Sequence, residues 1–132
     1  MKGTYVLLIE LDHDEKIQIG KLGLINFKSG FYVYVGSALN NLEKRVKRHL
    51  SSEKKIHWHI DYFLQNGIIC DVFYKECSSR YECIIANEFK KHLTFIKDFG
   101  CSDCNCISHF FYGKREDIFK IIIKNKLDKL SL

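Results

Sequence analysis

The sequence predicts an α+β fold in which α-helices flank a small central antiparallel β-sheet. Strand-like segments come first along the chain, and helical segments then mix with one or two late strands. The chain has 132 residues, and 46% of them are apolar, which is enough for a compact domain with its own core. No internal repeat, low-complexity tract or linker interrupts the chain. We therefore expect a single domain over residues 1–132.

The predicted strands are short runs of β-branched, aliphatic and aromatic residues that end at polar or glycine-containing breaks. Alternation along the fourth run places Tyr32 and Tyr34 on one face of the sheet, with Phe31, Val33 and Val35 on the other. The expected strands are residues 4–11, 16–20, 24–27, 31–35, 68–74 and 108–112.

The apolar period changes to that of a helix after the fourth strand. Leu42, Val46 and Leu50 form a stripe that predicts the core side of this helix, while Arg45 and His49 are four residues apart and so lie on one face. The expected helices are residues 41–50, 57–65, 80–93 and 115–130. The last of them belongs to a C-terminal helical extension, 113–132, added to a core of residues 1–112.

Net charge and the absence of export signals suggest the class of partner and the compartment. The formal charge is +5, which favours an anionic partner. The N-terminal stretch lacks the pattern of a signal peptide, and no apolar run approaches the roughly 20 residues of a membrane span. We expect a cytoplasmic protein that has no membrane partner.

Two short tracts, Gly3-Thr4-Tyr5 and Tyr34-Val35-Gly36, lie in predicted strands and precede a helix that carries Arg45 and His49. Cutting a phosphodiester needs a group that activates or positions water, a cation beside the phosphate, and stabilisation of the leaving oxygen. The tracts resemble those of the GIY-YIG nucleases. In that family the two namesake tripeptides lie on adjacent strands, ahead of a helix with an Asn-Leu-x-x-Arg-x-x-x-His pattern like the one that begins at Asn41.

The resemblance implies a GIY-YIG-like fold and a metal-dependent endonuclease that hydrolyses DNA, in repair or processing. It also implies that Tyr5 and Tyr34 are the tyrosine pair, one of which activates water with the help of its neighbours, that Arg45 steadies the phosphate and that His49 is a proton-relay partner. A glutamate on the third predicted helix would hold Mg²⁺ or Mn²⁺. Glu82 is the first candidate for that role and Glu88 the alternative. A nucleic-acid-binding module that kept the scaffold but lost the metal is the rival interpretation.

A dense polar and aromatic tract, His-Trp-His-Ile-Asp-Tyr, occupies residues 57–62. His57, Trp58 and His59 are candidates for lining a nucleic-acid cleft, with Trp58 stacking on a base. In the alternative interpretation Trp58 is core, and His57 pairs with Asp61 on one helix face. The tract resembles that of the Uri-type endonucleases, a GIY-YIG branch long known as a domain of unknown function (DUF123-like).

A basic stretch follows the second tripeptide, and such stretches contribute salt-dependent affinity for phosphates. Its members, which we expect to contact nucleic acid, are Lys44, Lys47, Arg48, Lys54 and Lys55.

Six cysteines are many for a chain of this length. Cys70, Cys77 and Cys83 stand among apolar residues, where a cysteine usually behaves as a small buried hydrophobe. Cysteines and a histidine cluster within nine residues further on, a composition that a structural zinc ion accepts. That group consists of Cys101, Cys104, Cys106 and His109. Four ligands in so short a loop would strain a tetrahedral site, so reduced thiols, with His109 facing the cleft, are the default expectation.

Overall fold

A six-stranded antiparallel sheet lies at the centre of the computed structural model, which describes residues 1–101 and 104–131. The strands stand in the order β6-β7-β4-β1-β5-β8, so the two longest early strands are neighbours in the middle. The strands of this sheet are β1 (Gly3–Leu11), β4 (Gly30–Ala38), β5 (Ile68–Glu76), β6 (Thr94–Phe95), β7 (Phe110–Gly113) and β8 (Asp128–Lys129). The α+β prediction is confirmed.

Helices cover both faces of the sheet, and a small second sheet joins one of them. β2 (Glu15–Gln18) and β3 (Leu24–Phe27) form this two-stranded sheet. The helices are α1 (Leu42–Leu50), α2 (His59–Phe63), α3 (Glu82–Lys90) and α4 (Arg115–Lys124). None of the helices in the described part of the chain is long and apolar enough to cross a membrane.

Alternation along the central strands sorts their side chains into two separate cores. Tyr5, Leu7, Tyr32 and Tyr34 pack with α1, α2 and the small sheet. The intervening residues, such as Val33, pack with α3 and α4. The predicted faces of β4 are therefore confirmed, and the tyrosines of β1 and β4 lie on the face that α1 and α2 cover.

The core stripe predicted for α1 is wrong at its last position. Leu42 and Val46 are fully buried, but Leu50 is 49% exposed, and His49 is buried in its place. The helix ends at Leu50, and Ser51 already has an extended backbone. The start of the helix lies within one residue of the predicted start at 41, because Asn41 caps the helix by accepting a hydrogen bond from the Lys44 amide.

The other three predicted helices are longer than those in the structure. The third, expected over 80–93, spans only Glu82–Lys90. The second begins at His59 rather than at 57, because the Asp61 carboxylate accepts hydrogen bonds from the amides of His57 and Trp58 and holds both residues ahead of the first turn. The last ends at Lys124, where the chain turns through Lys126, which has a positive φ, into β8. β8 pairs with β5, so the segment after residue 113 is not wholly helical.

Candidate active site

Tyr5 and Tyr34 stand side by side on the middle two strands of the sheet. The register of β1 and β4 pairs Tyr5 with Gly36, and Leu7 with Tyr34, which puts both rings on one face with centroids 6.4 Å apart. Gly36 is needed for this arrangement, because a β-carbon at that position would overlap the Tyr5 ring. The two tyrosines lie on adjacent strands and one face, as the alternation and the resemblance of the two tripeptides together predict.

His49 extends this pair from α1. Its Nε2 atom lies 2.7 Å from the Tyr5 hydroxyl oxygen, and its ring also packs edge-on to Tyr34, at 6.1 Å between centroids. Burial lowers the pKa of His49 to about 3, despite the opposing charge of Asp61, so the imidazole is neutral at ordinary pH. A neutral imidazole can accept the Tyr5 hydroxyl proton in the hydrogen bond.

Both tyrosine hydroxyls are held in their protonated form. Burial raises the pKa of Tyr5 above its usual range, although the nearby Arg45 opposes the shift. Burial also raises the pKa of Tyr34, and the proximity of Tyr5 and Glu82 adds to the rise. Neither phenol is therefore ionised at neutral pH in the free protein, and each acts as a hydrogen-bonding hydroxyl.

Arg45 and Arg48 flank the indole of Trp58. Their guanidinium carbons lie 4.6 and 4.4 Å from its ring centroid, within the range of cation–π contacts. Arg45 also donates a hydrogen bond to the Ser37 carbonyl on β4, at 3.1 Å, which places its charge beside the tyrosines. Trp58 is thus neither wholly core nor freely exposed, because it forms one wall beside both cations.

Asp61 organises this wall from the start of α2. Its fully buried carboxylate accepts two hydrogen bonds from Arg48, at 3.0 and 3.1 Å, and two more from the His57 and Trp58 amides. Burial alone would raise the pKa of Asp61, but the Arg48 and amide hydrogen bonds outweigh it and lower the pKa. The predicted pairing of the His57 imidazole with Asp61 is replaced by a bond from the His57 backbone.

Glu82 begins α3 and lies against the same group of residues. It is 8% exposed, and its carboxylate oxygens lie 3.7 Å from an Arg80 guanidinium nitrogen and 3.7 Å from Nδ1 of His109. Glu88, six residues later, instead forms an ion pair with Lys91 at 2.6 Å. Of the two glutamates considered, Glu82 is the one beside the tyrosines.

One cleft of about 880 Å³ unites these side chains. Its walls include Tyr5, Tyr34, Arg45 and Glu82, and Glu82 is the one carboxylate among the described residues that line it. His49 lies behind Tyr5 and does not line the cleft. The cleft therefore combines two phenols, one carboxylate and several cations.

The predicted nucleic-acid contacts divide into two groups. Those that line the cleft are Lys44, Arg48, His57, Trp58 and His59. Lys47, Lys54 and Lys55 do not line it. Lys54 donates to the His49 and Ser51 carbonyls, which explains its position behind α1. His59 accepts a hydrogen bond from the Gly100 amide at 2.9 Å, and burial lowers its pKa, so it joins α2 to the cysteine-containing loop.

The cysteines are arranged differently from expectation. Cys83, Cys104, Cys106 and His109 bring four soft ligand atoms within 4.8 Å of one another. Cys101 is outside that group, and its thiol donates to the Phe99 carbonyl, while burial raises its pKa to about 12. Cys83, expected to be a small buried hydrophobe, takes the place of Cys101, and Cys70 is exposed.

Arg80, Cys83 and Gly36 have places in or beside the site that the sequence analysis did not assign. Arg80 lines the cleft two positions before Glu82, and that short spacing was the available signal. Cys83 immediately follows Glu82, but nothing in the sequence links it to cysteines more than twenty positions later. Gly36 belongs to the second tripeptide, and its role depends on the Tyr5 ring across the strand pair.

Comparisons with known proteins place the chain in one family and go no further. No curated protein matches it, and no solved structure does. A family model described as a domain of unknown function, DUF123, matches residues 4–132, which include every site residue named above. The chain belongs to the DUF123 family.

Proposed function

We propose that this protein is a metal-dependent endonuclease of the GIY-YIG type that hydrolyses phosphodiester bonds of DNA, in repair or processing. The observation that carries the proposal is the convergence of Tyr5, Tyr34, Arg45 and Glu82 on one cleft from four separate elements. These side chains span 77 positions of sequence, from Tyr5 to Glu82, so local structure alone does not bring them together.

The charge of the cleft suits a phosphodiester backbone. Lys44, Arg45, Arg48 and Arg80 line it together with a single carboxylate among the described lining residues. Cations so placed attract phosphates regardless of base sequence. Trp58 adds an aromatic face on which a base can stack. This combination supports nucleic acid as the partner.

The hydrogen bond between Tyr5 and His49 suggests how water is activated. The hydroxyl of Tyr5 donates to Nε2 of His49, which leaves its oxygen lone pairs to accept a proton from a water molecule in the cleft. A bound phosphate raises the proton affinity of the imidazole, because negative charge stabilises imidazolium. The water oxygen then forms the new bond to phosphorus, while Tyr5 takes the water proton and passes its own hydroxyl proton to Nε2 of His49. The bond from phosphorus to the sugar oxygen breaks, and that oxygen leaves with the bonding electron pair and takes a proton from solvent.

Glu82 fits the carboxylate that a magnesium or manganese ion requires. Such ions prefer oxygen ligands and are often held by one or two carboxylates, with substrate phosphates and waters completing the shell. The carboxylate of Glu82 lines the cleft next to both tyrosines, where those phosphates would lie. A bound divalent ion would supply stabilisation of charge on the leaving oxygen.

The rival function is a binding module without catalysis, and one observation favours it. Burial raises the pKa of both Tyr5 and Tyr34, so neither is a base on its own at neutral pH. A nicking assay separates the two functions. Branched, flapped and plain duplex DNA are each incubated with the protein and Mg²⁺ or Mn²⁺, and in parallel with a chelator.

We expect metal-dependent strand breaks on at least one of these substrates. Tyr5→Phe, which keeps the ring but removes the hydroxyl, should lose this cleavage. Asn40→Ala serves as the control, because Asn40 lines the cleft but has no role in the proposed mechanism. DNA binding without metal-dependent cleavage on any substrate would establish the binding module instead.

A further inference from the structure

We infer that Cys83, Cys104, Cys106 and His109 bind a structural zinc ion that fastens the start of α3 to the loop before β7. The four ligand atoms, three thiol sulfurs and one imidazole nitrogen, lie within 4.8 Å of one another. Three thiolates and one histidine form a common structural zinc site. The site is separate from the divalent ion proposed for the cleft, because its ligands are soft and Glu82 offers oxygen.

The distances fit a tetrahedral ion. With Zn–S near 2.3 Å and Zn–N near 2.0–2.1 Å, neighbouring ligand atoms in a tetrahedron are about 3.5–3.8 Å apart. Nε2 of His109 lies 3.3 Å from the Cys104 sulfur and 3.9 Å from the Cys83 sulfur. These two separations bracket the expected value and need to change by only a few tenths of an ångström. Pairs of ligand atoms as far apart as the 4.8 Å limit of the group would need to close by about 1 Å.

The tautomer of His109 is suited to metal binding. Its Nδ1 atom donates a hydrogen bond to the Val35 carbonyl at 3.1 Å, and the histidine is buried. Since a carbonyl can only accept, the proton of the neutral ring is on Nδ1 and the lone pair of Nε2 points toward the thiols. Zinc-bound histidines are typically held by such a second hydrogen bond from the other ring nitrogen.

Cys83 relieves the strain that a loop-only site would impose. The ligands come from the first turn of α3, from the loop at 104 and 106, and from the residue just before β7. Drawing the fourth ligand from a helix lets the four atoms surround one point without an impossibly tight loop. Zinc sites usually combine ligands from separated segments in this way.

The ion would hold a helix start that otherwise lacks a side-chain cap. Tyr81 precedes α3 and makes no capping hydrogen bond. Glu82 is adjacent to the ligand Cys83, and its carboxylate lies 3.7 Å from Nδ1 of the ligand His109. A zinc ion here fixes the orientation of Glu82 toward the cleft. The importance of that orientation rests on the proposed function, but zinc binding itself does not.

Metal analysis of the purified protein tests the inference directly. Protein produced with zinc in the medium should carry about one zinc ion per chain, and cobalt exchanged into it should show the visible absorption of a tetrahedral thiolate site. Cys83→Ser and Cys104→Ser should lose most of the metal. Cys101→Ser and Cys77→Ser, which change cysteines outside the group, should keep it.

Thermal unfolding supplies a readout that is independent of cleavage. Removing the zinc should lower the unfolding midpoint of the parent, and adding zinc, but not magnesium, should restore it, because the folded site binds the ion more tightly than the unfolded chain does. The same treatment should leave the midpoint of Cys83→Ser unchanged. Nicking activity that is absent in a zinc-loaded parent counts against the proposed function and leaves the zinc inference intact.

Four results would overturn the inference. The first is a parent that carries no zinc and binds none on titration. The second is iron in place of zinc, and the third is a disulfide within the group. The fourth is loss of metal in Cys101→Ser with retention in Cys83→Ser, which would establish the loop-only ligand set.

Discussion

The hydroxyl oxygen of Tyr5 lies 2.7 Å from Nε2 of His49, and this bond joins the middle of the sheet to the last turn of α1. Both side chains are about 98% buried, and Nδ1 of His49 makes no hydrogen bond to the described residues. A buried polar atom without a partner costs free energy of folding. Burying this pair therefore lowers the stability of the fold, as is common where a side chain serves function.

Replacing His49 should change how the stability of the protein depends on pH. The pKa of His49 is about 3 in the folded protein and near 6.5 when unfolded, because burial disfavours its charged form. Between these values the unfolded chain binds the extra proton, so the free energy of unfolding falls as pH falls below 6.5. At pH 4.5 the loss from this residue is about 2–3 kcal/mol.

Denaturant unfolding of the parent and of His49→Gln at pH 7 and pH 4.5 measures this effect. The variant should lose less stability than the parent between the two pH values. His59, whose pKa is also lowered by burial, contributes in the same direction to both proteins and cancels in the comparison. Equal losses in the parent and the variant would show that His49 is not held neutral.

Arg45→Ala should leave the fold intact and reduce cleavage by about 10²-fold or more under the proposed function. The side chain is half-buried at the edge of the cleft, where its charge can stabilise a phosphate as it gains charge in the transition state. Lys47→Ala is the matched control, because Lys47 is exposed on the same helix and does not line the cleft. Comparable losses in both variants would mean that only a general binding charge had been removed.

Asp61→Asn should lower the free energy of unfolding by about 3 kcal/mol or more. The amide has half the acceptor capacity of the carboxylate and no charge for Arg48, and its own NH₂ would face other donors. Because hydrogen bonds lower the pKa of Asp61 despite its burial, this stabilisation is present above about pH 3.8 and is lost as pH falls through the folded pKa. Unfolding experiments at pH 7, with Glu53→Gln as an exposed control, measure the effect; a similar, small change in both would refute it.

The longer strands of the sheet were predictable because the residue pattern of each strand reflects which side chains face which core. The two-residue strands β6 and β8 were not predicted. Alternation in β4 separates Tyr32 and Tyr34 from Val33 with no knowledge of the partners, and the structure keeps that separation. The strand 24–27 has the predicted bounds, while β1 and β5 are one and two residues longer than expected. The local sequence pattern is sufficient to predict the two faces of a strand when each face packs in a single core.

The site was less predictable because it depends on contacts between distant residues. Nothing within α1 indicates that His49 rather than Leu50 is buried, since Tyr5 provides its partner from another element. Cys83 joins Cys104 only through the way in which α3 packs beside the loop. The beginning of α2 depends on Asp61, whose carboxylate holds the preceding amides in an extended segment.

Metal-dependent cleavage by Glu82→Gln, compared with Glu88→Gln and the parent, tests whether Glu82 holds the metal ion that cleavage requires. The amide keeps the size of the side chain but binds a hard cation poorly without its charge. Glu88 is on the same helix but pairs with Lys91 and does not line the cleft, so its variant controls for the loss of a carboxylate.

Glu82→Gln should abolish nicking in Mg²⁺ or Mn²⁺, while Glu88→Gln should keep it. DNA affinity, measured in chelator, should fall with salt equally in all three proteins, since it comes from the basic cleft. Activity that survives in Glu82→Gln and disappears in Glu88→Gln would contradict the assignment of the metal ligand. Full activity in both variants would contradict the metal-dependent mechanism itself.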